Sequence, residues 1–568
     1  MDTKAHKHSF IIPIITSVLF LASPAVAMQQ PKLVLQITVD ALRGDLPTRY
    51  YDRLEENGFR YLWEKGTVYV DAHYDHANTE TIVGHTILAT GAQPSVHGMI
   101  GNIWYDRTKG RTVYNIEDDN FTLLTPGAGV DQSAEIDSTQ KAAKSDGRSP
   151  AAIMVSTLGD ELAIHTAGRS KIFGVSVKDR GAVSMAGHAG KAFWFSKASG
   201  EFVTSNYYYQ QYPDWVDQWN AKKLAFSYSG KSWNLLYTQE EYLFGEADDR
   251  PWETDIAGFG RIFPHPYGTA DGKYFTTLLT LSPAGDQLTL DFAKALIINE
   301  QLGKDDIPDY LSVSFSSTDY VGHIFGPSSL ESEDNILQLD RTLADLLTFI
   351  DEKVGLEQTL IVLSADHGTP EVPGYLKQMG LDGGFVDPKS WDKKPALASL
   401  KKQFGIGKEL IVGYNHPYIY LDHQVIEEHQ LNLAQVEQSV AEQLLQFEGV
   451  AQAISSSALR EGNLPNTPVI QSILNNFNPN RSGDVYIVFQ PHWFINDFDG
   501  LEVSSTHGSP WRYDTYVPIV FSGMQIPAQQ IQRRVHPVDI AATLATYLGI
   551  KSPSGCAGKP LTEIFVNK

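Results

Sequence analysis

The 568-residue chain has a single cysteine, Cys556, so no disulfide can form within it. A thiolate metal cluster is excluded on the same ground, because it needs several sulfurs. Basic residues are in deficit. Forty-five Lys and Arg stand against 67 Asp and Glu, a net charge of −22 with His neutral. That balance excludes a duplex-DNA binder, which needs a basic stripe to release counterions, and no nucleic-acid surface is expected. Long apolar runs are scarce as well. Beyond the N-terminus no stretch reaches the roughly 20 apolar residues that span a bilayer. Wholesale disorder is excluded by 42% hydrophobic and 20% charged residues, close to ordinary globular usage.

The N-terminus does carry an apolar run. Lys4 and Lys7 form a short basic region, Phe10 to Ala22 is mostly apolar, and Ala25-Val26-Ala27 fits a cleavage site. Residues 1–27 therefore read as a signal peptide, too short to act as a membrane anchor. The mature chain, residues 28–568, is expected to be periplasmic or secreted.

Several short apolar segments read as buried strands: Lys32 to Val39, Asp309 to Phe315, Thr359 to Ser364, Val485 to Phe489 and Val517 to Phe521. Thr81 to Thr90, stopped by Gly91, reads as a helix, and Asn335 to Val354 shows helical spacing of Ile336, Leu339, Leu343, Leu346, Leu347 and Ile350. Alternating strands and helices predict an α/β sandwich around a largely parallel sheet. Residues about 103–290 and about 372–482 are less regular and read as insertions into a single catalytic domain.

Histidine and carboxylates are plentiful, with 17 His. Asp40, Asp319 and Asp366 each fall at or just past the carboxyl end of an expected strand, where ligands bind in open α/β sheets. His323 follows Asp319 by four residues, His367 follows Asp366 directly, and His507 precedes another strand. Taken singly, each has a plainer explanation: an Asp after a strand caps a turn, and a lone His is satisfied in the core or at the surface. Capping needs alone do not produce the joint pattern. Three Asp and three His at strand ends suit one or two Zn²⁺ ions. Thr81, at the start of its helix, is a candidate nucleophile: a phosphate there meets free N–H groups and the positive end of the helix dipole. Its plainer explanation is an N-cap threonine.

These segments resemble the alkaline phosphatase superfamily, and most closely its PafA-like, threonine-nucleophile alkaline phosphatases. The resemblance is carried by Thr79-Glu-Thr81-Ile-Val-Gly-His85, Pro94-Ser-Val-His97-Gly98, Gly101-Asn102 and Val177-Lys178-Asp179-Arg180. It continues in Ser317-Thr-Asp319-Tyr-Val-Gly-His323, Ser364-Ala-Asp366-His367-Gly368, Thr506-His507-Gly508 and Ala557-Gly-Lys559-Pro560-Leu-Thr-Glu563.

The resemblance implies an alkaline-phosphatase-like three-layer sandwich. It implies one zinc on Asp319, His323 and His507, and a second on Asp40, Asp366 and His367 that also contacts Thr81. Thr81 would be phosphorylated transiently. Asn102, Lys178 and Arg180 would bind phosphoryl oxygens. The choice of Thr81 over Thr79 rests on the family's spacing from nucleophile to asparagine. Two Zn²⁺ balance three aspartates and a Thr81 alkoxide. Lys178 and Arg180 then match the two charges of a phosphate monoester, one more than a diester carries. Monoester hydrolysis is therefore expected. A phosphodiesterase or nucleotide pyrophosphatase on the same scaffold, and a non-catalytic zinc- or phosphate-binding protein, are the alternatives.

The chain lacks the Cys-x-Pro-x-Arg motif of sulfatases and a clear ligand set for a third, Mg²⁺ site. His85, His97 and His188 read as packing or supporting residues. The aromatic run from Tyr207 to Trp219 reads as insertion packing.

Overall fold

A computed structural model describes residues 1–2, 30–246, 248–256 and 258–565. Most of the expected signal peptide lies outside the described residues. A nine-stranded sheet forms the centre. Its strands are β1 (Leu33–Val39), β2 (Thr67–His73), β3 (Ile172–Ser176), β4 (Lys191–Ser196), β5 (Glu201–Val203), β6 (Asp309–Phe315), β7 (Thr359–Ser364), β12 (Tyr516–Gly523) and β13 (Gln529–Ile531). The order across the sheet is β13-β2-β12-β7-β1-β6-β3-β4-β5. The central pairs β7–β1, β1–β6, β6–β3 and β3–β4 are parallel, whereas β12 runs antiparallel to both β7 and β2.

Strand β1 shows why this sheet is covered on both faces. Leu33, Leu35, Ile37 and Val39 join one apolar core with the long helix Leu330–Lys353. Val34 points the other way, into a second core with Val362, Ile519 and the helix Val538–Leu548. A strand buried on both faces reads as a continuous apolar run, which is how Lys32 to Val39 reads. The result is helix, sheet and helix in three layers, as expected.

Two expectations need correction. Residues 172–203, inside the expected 103–290 insertion, supply β3, β4 and β5 of the central sheet. These strands are short, Gly174 interrupts the first and polar residues bound the second, so they carry little sequence signal. Val485–Phe489 is a strand, but it does not join the central sheet. It is β11 of a separate antiparallel sheet with β8 (Ile411–Asn415), β9 (Tyr418–Leu421) and β10 (Val450–Ser455), in the order β8-β9-β11-β10. This sheet packs on its own helices around Leu421, Val436, Val440 and Ile487.

Candidate active site

The site is built at the carboxyl ends of the parallel strands, with Asp40 after β1, Asp366 and His367 after β7, and Lys178 after β3. Helix α1 (Thr81–Thr90) enters from the side, wholly buried and closed by Gly91 in the left-handed conformation, φ 63°. Gly84 lets α1 approach: a Cβ there would lie 1.9 Å from the Asp366 carbonyl oxygen. Helix α2 (Asp179–Ala186) carries Arg180. Helix α4 (Ser317–Phe325) follows β6 and presents Asp319 and His323 one turn apart. Between α2 and α4 runs α3 (Pro283–Asn299), whose Asp286 accepts a hydrogen bond from the Ser317 N–H at the start of α4, 3.1 Å. At Ala41, directly after Asp40, φ is 61°, a conformation that costs an alanine energy. Its N–H donates to Asp366 Oδ1 at 3.1 Å, which ties the ends of β1 and β7 together.

All six expected metal ligands converge. His323 and His507 each place Nε2 3.3 Å from Asp319 Oδ1. His367 Nε2 lies 3.5 Å from both Asp40 Oδ1 and Asp366 Oδ2. The rings of His367 and His507 stack at 3.6 Å, so the two groups adjoin. In each imidazole Nδ1 is held by a backbone carbonyl: Ser505 for His323 at 2.8 Å, Thr79 for His507 at 2.7 Å, and Gly368 for His367 at 2.9 Å. Nδ1–H donates, so Nε2 carries the lone pair.

The donor set fits divalent metal ions. Asp40 Oδ1, Asp319 Oδ1, Asp366 Oδ2 and His367 Nε2 are buried and make no hydrogen bond. Burial lowers the His367 pKa to about 3, so its ring is neutral at pH 7 and faces carboxylate oxygens, acceptor against acceptor. A cation turns that repulsion into coordination. Burial and the neighbouring Asp366 carboxylate push Asp40 well above the usual carboxylate range. Burial also raises Asp319, but His323 and Lys178 outweigh it and hold this carboxyl well below that range.

The expected phosphate-binding residues are close by. Lys178 Nζ lies 2.8 Å from Asp40 Oδ2 and also contacts Asp319 Oδ2. Burial pulls its pKa down, but the two carboxylates outweigh burial and keep the ammonium above its ordinary value. Arg180 Nη2 reaches Thr81 Oγ1 at 3.3 Å, while Nη1 pairs with Asp137 at 2.7 Å. Asn102 Oδ1 accepts the Ile82 N–H at 3.1 Å, which turns its amide NH₂ away from the helix. The Asn102 N–H donates to Glu80 Oε2 at 2.6 Å.

Asp137 and Glu80, which orient Arg180 and Asn102, had no functional signal in the sequence. Asp137 also caps the short helix Ser138–Lys141, accepting from the Thr139 and Gln140 N–H groups. His85 uses both ring nitrogens, on the Thr81 carbonyl and the Ser314 hydroxyl, each at 2.9 Å, and its Nδ1 also lies 3.1 Å from Asp366 Oδ2. His97 Nδ1 accepts the Met99 N–H, and His188 pairs with Asp160 at 2.7 Å. Trp215 and Trp219 pack on Phe292, away from the ligands.

A cavity of about 480 Å³ opens beside the site and is lined by Asp319, His323, His507, Asn102 and Arg180. Among the described residues, neither Thr81 nor Asp40, Asp366 or His367 lines it.

The family model of type I phosphodiesterases and nucleotide pyrophosphatases matches residues 34–510. Alkaline phosphatase PafA of Elizabethkingia meningoseptica is 35% identical over 95% of each chain. The chain belongs to the alkaline phosphatase superfamily, with the PafA-like enzymes. Alkaline phosphatase PhoV of Synechococcus elongatus is 34% identical over 94% of this chain and 93% of its own. The crystal structure of wild-type PafA superposes with a TM-score of 0.86 at 34% identity, over 94% of this chain and 99% of its own. A second PafA structure, with a TM-score of 0.85 at 33% identity and the same coverage, carries changes at a threonine, an asparagine, a lysine and an arginine. The sequence spacings within these two pairs equal those of Thr81–Asn102 and Lys178–Arg180.

Proposed function

We propose that the protein is an exported, zinc-dependent phosphate monoester hydrolase that works through phospho-Thr81. The observation that carries this is the facing of imidazole lone pairs and unpaired buried carboxylate oxygens, beside a hydroxyl that Arg180 already contacts. Asp319, His323 and His507 would hold one zinc; Asp40, Asp366 and His367, with Thr81, would hold the other. Bound there, zinc lowers the pKa of a coordinated hydroxyl or water and neutralises charge on the reacting oxygens.

The chain's own residues do the rest. Lys178, Arg180 and the Asn102 amide bind the phosphoryl oxygens, and Asp137 and Glu80 keep two of these groups aimed. Thr81 Oγ1 attacks phosphorus, and the ester P–O bond breaks as the alcohol leaves with a proton. Water then attacks phospho-Thr81, which releases phosphate and restores the hydroxyl. Positioning and electrostatics carry most of such a transfer.

Diester hydrolysis is the competing activity within the family. Two buried cations at the phosphoryl position favour the dianion, and therefore the monoester. The N-terminal 27 residues support export. A chromogenic monoester and the matching diester, assayed on purified protein with added zinc, test this function. Faster turnover of the diester, or none of the monoester, refutes it.

A further inference from the structure

We infer that the cavity beside Asp319, His323 and His507 is a subsite for the alcohol half of the ester, shaped for an uncharged aromatic or bulky apolar group. The inference rests on the monoesterase function proposed above and names the substrates that site favours.

Phosphoryl transfer proceeds in line, so the departing oxygen lies opposite the attacking one. Thr81 opens α1, which packs at Gly84 against the Asp366 backbone, and Asp319, His323 and His507 line the cavity whereas Thr81 does not. The departing oxygen therefore faces the Asp319, His323 and His507 side. The cavity opens on that side, and it is far larger than a phosphoryl group needs.

Much of its wall is apolar, although Glu80, Asp137, Arg180, Lys393 and Glu409 also line it, and two parts of the wall are tied to the ligand residues. The Phe498 ring meets His323 edge-on, with centroids 5.1 Å apart. Opposite, Tyr414 Oη bonds His416 Nδ1 and His416 Nε2 bonds the Gly508 carbonyl, each at 2.7 Å, next to His507. Burial lowers the His416 pKa to about 4, so this imidazole is neutral at neutral and alkaline pH. Ile136, Trp391, Ile411 and Ile495 add to the apolar lining. At the rim, Asp497 pairs with Lys389, and Asp392 pairs with Lys401 at 2.5 Å. The apolar part of this lining rewards burial of a ring, and a charge carried by that ring would be desolvated against it.

The test compares ethyl phosphate, 2-phenylethyl phosphate and the 4-carboxylate of the latter, whose alcohols differ little in acidity. With the zinc-loaded enzyme, kcat/KM for 2-phenylethyl phosphate should exceed that for ethyl phosphate by about 10-fold or more, chiefly through KM. The carboxylate should lose most of that advantage. Phe498→Ala and Ile495→Ala should each bring the phenylethyl-to-ethyl ratio toward one. Ile495 makes no ring contact with a ligand histidine, so it separates lining from support of His323. A wild-type ratio near one, or a ratio unmoved in both variants, overturns the subsite. Failure to turn over any of the three esters overturns the monoesterase function beneath it, a distinct result.

Discussion

Lys178 joins the two halves of the site: its Nζ lies 2.8 Å from Asp40 in one ligand group and also touches Asp319 in the other. One ammonium thus couples both carboxylates that would bear metal, and Arg180 lies two residues along the same turn of chain. Charge-assisted contacts to a phosphoryl oxygen are each worth about 1.5–3 kcal/mol. Replacing both Lys178 and Arg180 by Ala should lower kcat/KM for a monoester by roughly two to four orders of magnitude. A diester with the same leaving group should lose much less. Steady-state kinetics on the matched pair check this, and equal losses would show that the two cations do not read the second phosphate charge.

Thr81→Ala should abolish the covalent step and lower kcat by roughly three orders of magnitude or more, with zinc content unchanged. Thr81→Ser should retain turnover, because a primary hydroxyl offers the same attacking atom. Acid quenching with labelled substrate should trap phosphoprotein in the wild type and none in Thr81→Ala. Retained activity in Thr81→Ala with loss in Thr79→Ala would move the nucleophile.

Elemental analysis should find two zinc ions per chain. His323→Ala and His367→Ala should each fall to about one, since each removes a single nitrogen donor from a different group. Full activity at one metal per chain would contradict the two-group arrangement.

Gly84→Ala tests the approach of α1. A Cβ placed 1.9 Å from the Asp366 carbonyl oxygen forces helix and turn apart. The expected cost is about 1–3 kcal/mol in stability, with a fall in both kcat and zinc content. Thermal unfolding and metal analysis measure the two effects separately.

A pH effect should come from a carboxyl outside the ligand groups. Glu253 is buried near Glu331, which pairs with His265 at 3.2 Å. Burial and the neighbouring Glu331 carboxyl, which burial also raises well above its usual range, push the Glu253 pKa from 4.5 up to about 10. The folded state holds a proton that the unfolded chain releases, so this stability is complete below about pH 4.5 and is lost as pH climbs toward 10. Melting temperature, measured with zinc saturating, should fall across that window, and Glu253→Gln should flatten the fall. An unchanged slope in the variant would place the proton elsewhere.

Much of the centre was legible in the sequence. Strands buried on both faces, such as Leu33–Val39 and Thr359–Ser364, leave continuous apolar runs, and their acidic ends mark where ligands gather. Lys178 and Arg180 were legible only through family resemblance, because a Lys-Asp-Arg turn looks like any solvated one until it is buried. Strands β3 to β5 were hidden by their shortness and mixed polarity. Phe498, Tyr414 and Ile495 could not be placed at the site at all. Their position depends on how the second sheet and the 495–503 segment close over the first, and no local pattern encodes that closure.

The bond from Ala41 to Asp366 spans 325 residues of chain, and that from His507 to Thr79 spans 428. Contacts so distant in sequence cost the most entropy to form and come late in folding. An N-terminal fragment that lacks residue 507 cannot complete the group of Asp319, His323 and His507, even when it already contains the other group. Hydrolytic activity therefore waits for the C-terminal part of the chain, and a product truncated before residue 507 should be inactive toward phosphate esters.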